Sequence, residues 1–321
     1  MKNIYVSMLM TMLLLILLGG CSQSASERKG DIIEETSNDK IQIYTTIFPL
    51  QDFAKKIGGQ YVEVENIVPT GTDAHSFEPT MKTMVNIAEG DAFIYLGTGI
   101  EGFADAVIDA VKEEDTKILK TSEGISLIKG EGEQGHEEED EEVHSEEEEV
   151  DPHVWLDPRR AIQLAENIKN LLVEIEPDKK EYFEENYNNL KVELENLDLA
   201  FRTMVEDSAK RTFIVAHSAY GYWQDAYGLK QIGVSGLSPS DEPSQKDLEK
   251  IIKSAEQTEI NFILFEQNVE NRVAEVIKNE IGAETLTIYN LESISEEDVD
   301  NNEDYISIMD KNIETLGHAL K

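Results

Sequence analysis

Phe183, Tyr187, Leu190, Leu194, Leu197, Phe201 and Met204 recur at spacings of 4, 3, 4, 3, 4 and 3, with neither Gly nor Pro inside the run. Apolar residues at that period share one face of an α-helix. A helix over residues 178–209 would be roughly 48 Å long at 1.5 Å per residue. That exceeds the width of one small domain, so the apolar face needs a partner along its whole length. The stripe ends in Phe and Met, where a coiled-coil seam would repeat Leu and Ile. The expected partner is therefore within the same chain. The helix reads as a rigid spine between two folded halves of a monomer.

Each half alternates strands and helices. In the first, residues 41–48 (β-branched and aromatic), 61–68, 92–96 and 117–120 read as strands. Residues 50–57, 80–88 and 103–111 read as helices, the second with Met81, Met84, Val85 and Ala88 on its apolar face. A helix over 159–176 precedes Pro177 and the spine. In the second half, 212–216, 228–232, 261–265 and 285–289 read as strands. Helices fall at 220–227, 245–256, within 269–282, and at 305–320. This alternation predicts an α/β fold of two lobes, each with a parallel sheet flanked by helices, joined by the long helix. In such sheets ligands collect beyond the carboxyl ends of the strands.

The 321 residues carry 66 acidic and 28 basic side chains, a formal charge of −38. That excludes nucleic acid as a partner, because neutralising phosphates requires Lys and Arg. Cations are the natural partners of such a field. Thirteen of the residues from Glu131 to Asp151 are acidic, and only Val143 and Val150 are aliphatic. Residues 131–150 are thus expected to be a disordered loop. It contains His136 and His144, read as auxiliary, weak metal contacts.

Cys21 is the single cysteine, so no intrachain disulfide can form. An apolar run over 8–18 ends in Leu18-Gly19-Gly20-Cys21, which resembles a bacterial lipobox. The resemblance implies a signal peptide over 1–20, lipidation of Cys21, and anchorage to the outer face of a cell membrane, in the Gram-positive manner. Residues 21–39 then read as a flexible tether. The lobes follow as 40–176 and 210–321, with the linking helix at 177–209.

His75, His153, His217 and Glu292 all stand where the chain leaves a strand or enters a helix, two from each half. Three imidazoles and a carboxylate suit a borderline-soft divalent ion such as zinc. With no cysteine in the folded part, thiolate sites and iron–sulfur clusters are excluded. Ligands from both halves would put the ion in the cleft between lobes. Glu266, at the end of another strand, competes with Glu292 for the fourth place. His318, on the last helix, reads as structural.

The same residues carry a family resemblance. Pro69 to Pro79 is similar to a PxGxDPHxxEP segment, with Ala74 where Pro is usual. Asp151 to Pro158 matches DPHxWLDP, and His217 to Tyr222 resembles HxAxGY. Glu242-Pro243-Ser244 is similar to the EPS start of a helix. Together, over residues 40–321, they resemble the zinc-type metal-binding lipoproteins of bacterial ABC transporters, a cluster that also holds manganese receptors. The resemblance implies two lobes joined by one long helix, with His75, His153 and His217 as ligands. It also implies a carboxylate after the last strand, which selects Glu292 over Glu266, although in some zinc members water takes that place. Manganese receptors usually carry Glu and Asp where His217 and Glu292 stand, so zinc is the expected ion. The implied function is a non-enzymatic receptor that delivers Zn²⁺ to an ABC permease and its ATPase. A zinc hydrolase, a surface adhesin and a metal buffer are the readings from other classes.

Overall fold

The strand–helix alternation resolves into two four-stranded, wholly parallel sheets. The computed structural model describes residues 40–130, 150–258, 260–267 and 271–321. The signal-peptide and tether readings, Cys21, His136 and His144 lie outside the described residues.

The first sheet contains β1 (Ile41–Thr45), β2 (Val62–Asn66), β3 (Ala92–Tyr95) and β4 (Lys117–Lys120), in the order β2-β1-β3-β4. Ile43 pairs with Val64 on one side and Ala92 on the other. Between β1 and β2 runs α1 (Phe48–Gly58), which starts at Phe48, so that Pro49 lies in its first turn and not before it. A proline is tolerated there because that N–H has no intrahelical acceptor. Leu50, Phe53, Ala54 and Ile57 form its buried stripe.

Next in the chain are α2 (Met81–Ala88), capped by the Thr80 hydroxyl, and α3 (Ala104–Val111). Only half of the expected apolar face of α2 meets the core. Met81 is 81% exposed and Val85 52%, while Ile87 is buried, with Met84 and Ala88 packed beside it. A two-turn helix offers two overlapping apolar stripes, and packing selected the one containing the β-branched Ile87.

Asp157 caps α4 (Pro158–Ile175) through the Arg159 N–H, with Pro158 at its first position. A 3₁₀ turn over Pro177–Lys179 then leads into the long helix, α5 (Lys180–Asp207), of 28 residues or about 42 Å. Its buried stripe is the expected one except at its end, where Val205 is buried and Met204 only partly so. The stripe packs against α1, α4 and the last helix of the same chain, an intramolecular partner as expected.

The second sheet repeats the order of the first. It contains β5 (Thr212–His217), β6 (Lys230–Ser235), β7 (Phe262–Glu266) and β8 (Glu284–Ile288), in the order β6-β5-β7-β8. Its helices are α6 (Gly221–Tyr227), α7 (Gln245–Gln257), α8 (Arg272–Ile281), α9 (Glu296–Asp300) and α10 (Tyr305–Ala319). Side-chain caps start most of them: Ser244 for α7, Asn271 for α8, and reciprocal capping boxes for α9 and α10. One continuous core runs from Ile41 to Leu320 and takes residues from both sheets and from α5. A smaller cluster around Ile214, Ile251, Ile263 and Ile277 covers the other face of the second sheet. The long helix thus lays one face into a core shared by both sheets.

Candidate metal centre

Four chain segments converge beyond the strand ends. His217 is the last residue of β5 and Glu266 the last of β7. Glu292 follows β8, and His75 lies in the loop after β2. His153 precedes a 3₁₀ turn over Val154–Leu156, just before α4. Parallel strands put all their carboxyl ends on one edge of each sheet, so residues far apart in sequence meet there.

The His153 segment is held by its main chain. Thr98 Oγ1 donates to the Pro152 carbonyl (3.1 Å), Tyr222 Oη to that of Asp151 (2.9 Å), and Trp223 Nε1 to that of Leu156 (2.7 Å). Tyr305 Oη donates to the Trp155 carbonyl, while Trp155 Nε1 donates to that of Asn290 (2.7 Å). Most of these partners belong to the second half of the chain. Thr98 sits between Gly97 and Gly99, both with positive φ (78° and 103°). The buried Glu101 carboxylate fixes that turn by accepting from the Leu96 and Gly97 amides and from Thr46 Oγ1.

Glu292 is placed by its neighbours. Asn290 donates from Nδ2 to Glu292 Oε1 (3.0 Å) and accepts from the Glu292 N–H (3.1 Å), while the Glu292 carbonyl accepts from Phe48 N–H (3.0 Å). Leu291 between them takes φ of 62°, a left-handed conformation that costs a non-glycine residue on the order of 1–2 kcal/mol. The contacts on either side hold it there.

His75, His153, His217 and Glu292 each offer one ligand atom, and these four atoms all lie within 4.8 Å of one another. Glu292 Oε1 is 3.4 Å from His153 Nε2, 3.6 Å from His75 Nε2 and 3.9 Å from His217 Nε2. A tetrahedron with metal–ligand bonds of ~2.0–2.1 Å has edges of about 3.3 Å, so modest contraction suffices. His153 and His217 are fully buried, and the His75 side chain is 13% exposed. Nε2 of every ring is buried without a hydrogen-bond partner. Three such atoms aimed at one point are costly unless a group occupies the centre.

The charges fit a cation. Asp151, Glu266 and Glu292 are buried, and no Lys or Arg pairs with them among the described residues. Burial alone would drive His153 neutral, but the Asp151 and Glu292 carboxylates outweigh it and raise its pKa to about 9. Burial would likewise raise the pKa of Glu292, yet its contacts with His153 and His75 hold it well below the usual carboxylate range.

All four residues singled out in the sequence meet here. Glu266, the competing carboxylate, instead lies beside His217, with Oε1 3.0 Å from Nδ1. His318 packs on Phe262 at a centroid distance of 5.0 Å, away from the cluster. Sequence reasoning gave no task to Asp151, Asn290 or Trp155. The only hint was the Asp two residues before His153 and the Asn two residues before Glu292.

Two parallel α/β sheets, a long helix packed along the core they share, and imidazoles gathered at the strand ends define a two-lobed α/β fold with a candidate metal centre. The chain belongs to the ZnuA family, described as zinc-uptake complex component A, periplasmic, which matches residues 43–319. It is 34% identical over 314 residues to zinc-binding lipoprotein AdcA of Streptococcus pneumoniae (strain ATCC BAA-255 / R6). That match covers 97% of this chain and 60% of AdcA, so the chain spans about three fifths of that relative's length. It is also 34% identical over 305 residues to the high-affinity zinc uptake system protein ZnuA of Bacillus subtilis (strain 168), covering 95% of this chain and 94% of that one. Among solved structures, the Zn(II)-bound ZnuA-like domain of S. pneumoniae AdcA superposes with a TM-score of 0.73 at 33% identity, covering 88% of this chain and 99% of that one. The laminin-binding protein Lmb of Streptococcus agalactiae, described as bifunctional with adhesin and metal-transporting activity, gives 0.78 at 27% identity, with coverage of 88% and 100%.

Proposed function

We propose that the protein captures Zn²⁺ outside the cell membrane and delivers it to an ABC permease driven by its ATPase. The observation that carries this reading is the convergence of His75, His153, His217 and Glu292 to within 4.8 Å, with every imidazole Nε2 buried and unpartnered. Three imidazoles favour zinc over manganese, which prefers oxygen donors. The relatives named for zinc binding and zinc uptake support the same ion. No bond is made or broken in this role. With the carboxylate in the fourth place, the shell is closed, as in non-catalytic zinc sites.

The relatives named as lipoproteins support a lipid anchor at Cys21, which keeps the receptor at the membrane surface. The acidic, His-containing segment around His136 and His144 raises the local cation concentration through its charge. A competition titration with a zinc chelator of known affinity tests the reading. One tight site per chain is expected, and failure to retain zinc against the chelator would refute it. A second reading, adhesion, has one observation behind it, the likeness to Lmb. It would coexist with zinc capture.

A further inference from the structure

Asp151 is the acid of the Asp-Pro-His turn and is 2% exposed. Among the described residues its only ionic contact is His153. A buried carboxylate with no Lys or Arg partner is expensive unless another group satisfies it. Asp151 Oδ1 lies 2.9 Å from both the main-chain nitrogen and the ring Nδ1 of His153. With the Nδ1 proton donated to that oxygen, the free lone pair of the ring is at Nε2. Nε2 is the atom that faces Glu292. A carboxylate behind an imidazole in this way selects its tautomer and raises its strength as a donor.

A separate observation comes from the second half of the chain. Gly221 opens α6, and a Cβ built there would lie 2.3 Å from Asp151 Oδ2, a distance real atoms do not adopt. The next residue, Tyr222, donates from its hydroxyl to the Asp151 carbonyl at 2.9 Å. One end of α6 therefore leaves room for the Asp151 carboxylate and also holds its main chain. His153 is the most completely oriented imidazole of the three. Glu266 approaches His217 Nδ1 at 3.0 Å, but off the N–H direction, so Nδ1 makes no hydrogen bond. The His75 ring contacts no carboxylate other than Glu292 among the described residues.

We propose that Asp151 is a positioning residue of the zinc site, fixing His153 as an Nε2 donor, and that Gly221 and Tyr222 hold Asp151 in place from across the cleft. This role rests on the zinc-receptor reading. It links the ligand geometry of one half of the chain to a helix of the other without a direct contact between α6 and the ion.

Chelator competition on the full chain tests it, using wild type, Asp151→Ala, Gly221→Ala and the double variant. Each single change should weaken zinc binding by about 10–100-fold, the range seen when partners of metal-bound histidines are removed. The double variant should bind within about 3-fold of Asp151→Ala, because the Gly221 methyl then has no carboxylate to displace. Losses that add fully would show independent structural damage and overturn the link. Should the variants not fold, ¹⁵N NMR of histidine-labelled wild type decides. Zinc-loaded His153 should show a protonated Nδ1 and a metal-bound Nε2; the reverse would overturn the role. Wild type that binds no zinc would sink the receptor reading and this role with it. Tight wild-type binding with an indifferent Asp151→Ala would sink the role alone.

Discussion

At the scale of single residues, four side chains from four segments aim their donor atoms at one buried point. His217 ends an inner strand of its sheet and is fully buried. Replacing it by Ala should lower zinc affinity by at least two orders of magnitude while circular dichroism of the metal-free protein stays unchanged. An unaltered affinity would remove His217 from the site. The pH dependence has a definite sign. Zinc would compete with protons for the imidazoles, and the Asp151 and Glu292 carboxylates favour the protonated form of His153, so binding should release protons and weaken as pH falls. Titrations between pH 7.5 and pH 5 should show affinity dropping steadily, and a flat profile would point to carboxylate ligands alone. The three histidines could be read from the sequence because each carries distinctive chemistry and stands at a strand end or turn, whereas Glu292 was set apart from Glu266 only by the family resemblance. Asp151 could not be given a task that way. In a chain with 66 acidic residues, one carboxylate looks like any other until its 2.9 Å contact with His153 is seen.

Elements were legible in proportion to their length. The stripe from Phe183 to Phe201 gave the long helix, because about five turns of one periodic face leave little choice of register. The two turns of α2 could not, and Met81 and Val85 face outward while Ile87 packs inward. Helix α1 begins two residues before the expected start at 50, because Pro49 occupies a position where its missing N–H costs nothing. That helix also holds a testable electrostatic cost. Burial raises the Asp52 carboxyl to about 6, despite Lys56 at 3.5 Å, and Asp304 pushes it the same way. A raised carboxylate pKa means that the folded chain keeps a proton the unfolded chain releases. The penalty is therefore absent below about pH 4, grows as pH rises, and is complete above about pH 6. Asp52→Asn should stabilise the protein by up to about 3 kcal/mol at pH 8 and have little effect at pH 4. Urea unfolding at the two pH values measures this, and an equal effect at both would contradict it.

At the scale of the whole molecule, the two sheets repeat one strand order, and a shared core lined by one face of α5 joins them. A stiff helix between lobes, unlike a pair of flexible strands, favours modest closure and local movement when the ion leaves. The architecture was legible from strand–helix alternation, but the shared core was not. Periodicity shows which face of an element is apolar and does not show which partner covers it. The acidic segment is separable from the centre, because Lys129 and Val150 pair across its base and Asp151 follows directly. Deleting residues 132–148 should leave one tight zinc site and slow zinc uptake by cells, and loss of tight binding would relocate the site to that segment. The central claim is that His75, His153, His217 and Glu292 together hold one zinc ion. Its most direct measurement is the zinc content and chelator-competition affinity of the purified protein beside His217→Ala. The expected result is one ion per chain for wild type, stripped from the variant at the same chelator concentration. Equal retention by both, or none by either, would contradict it.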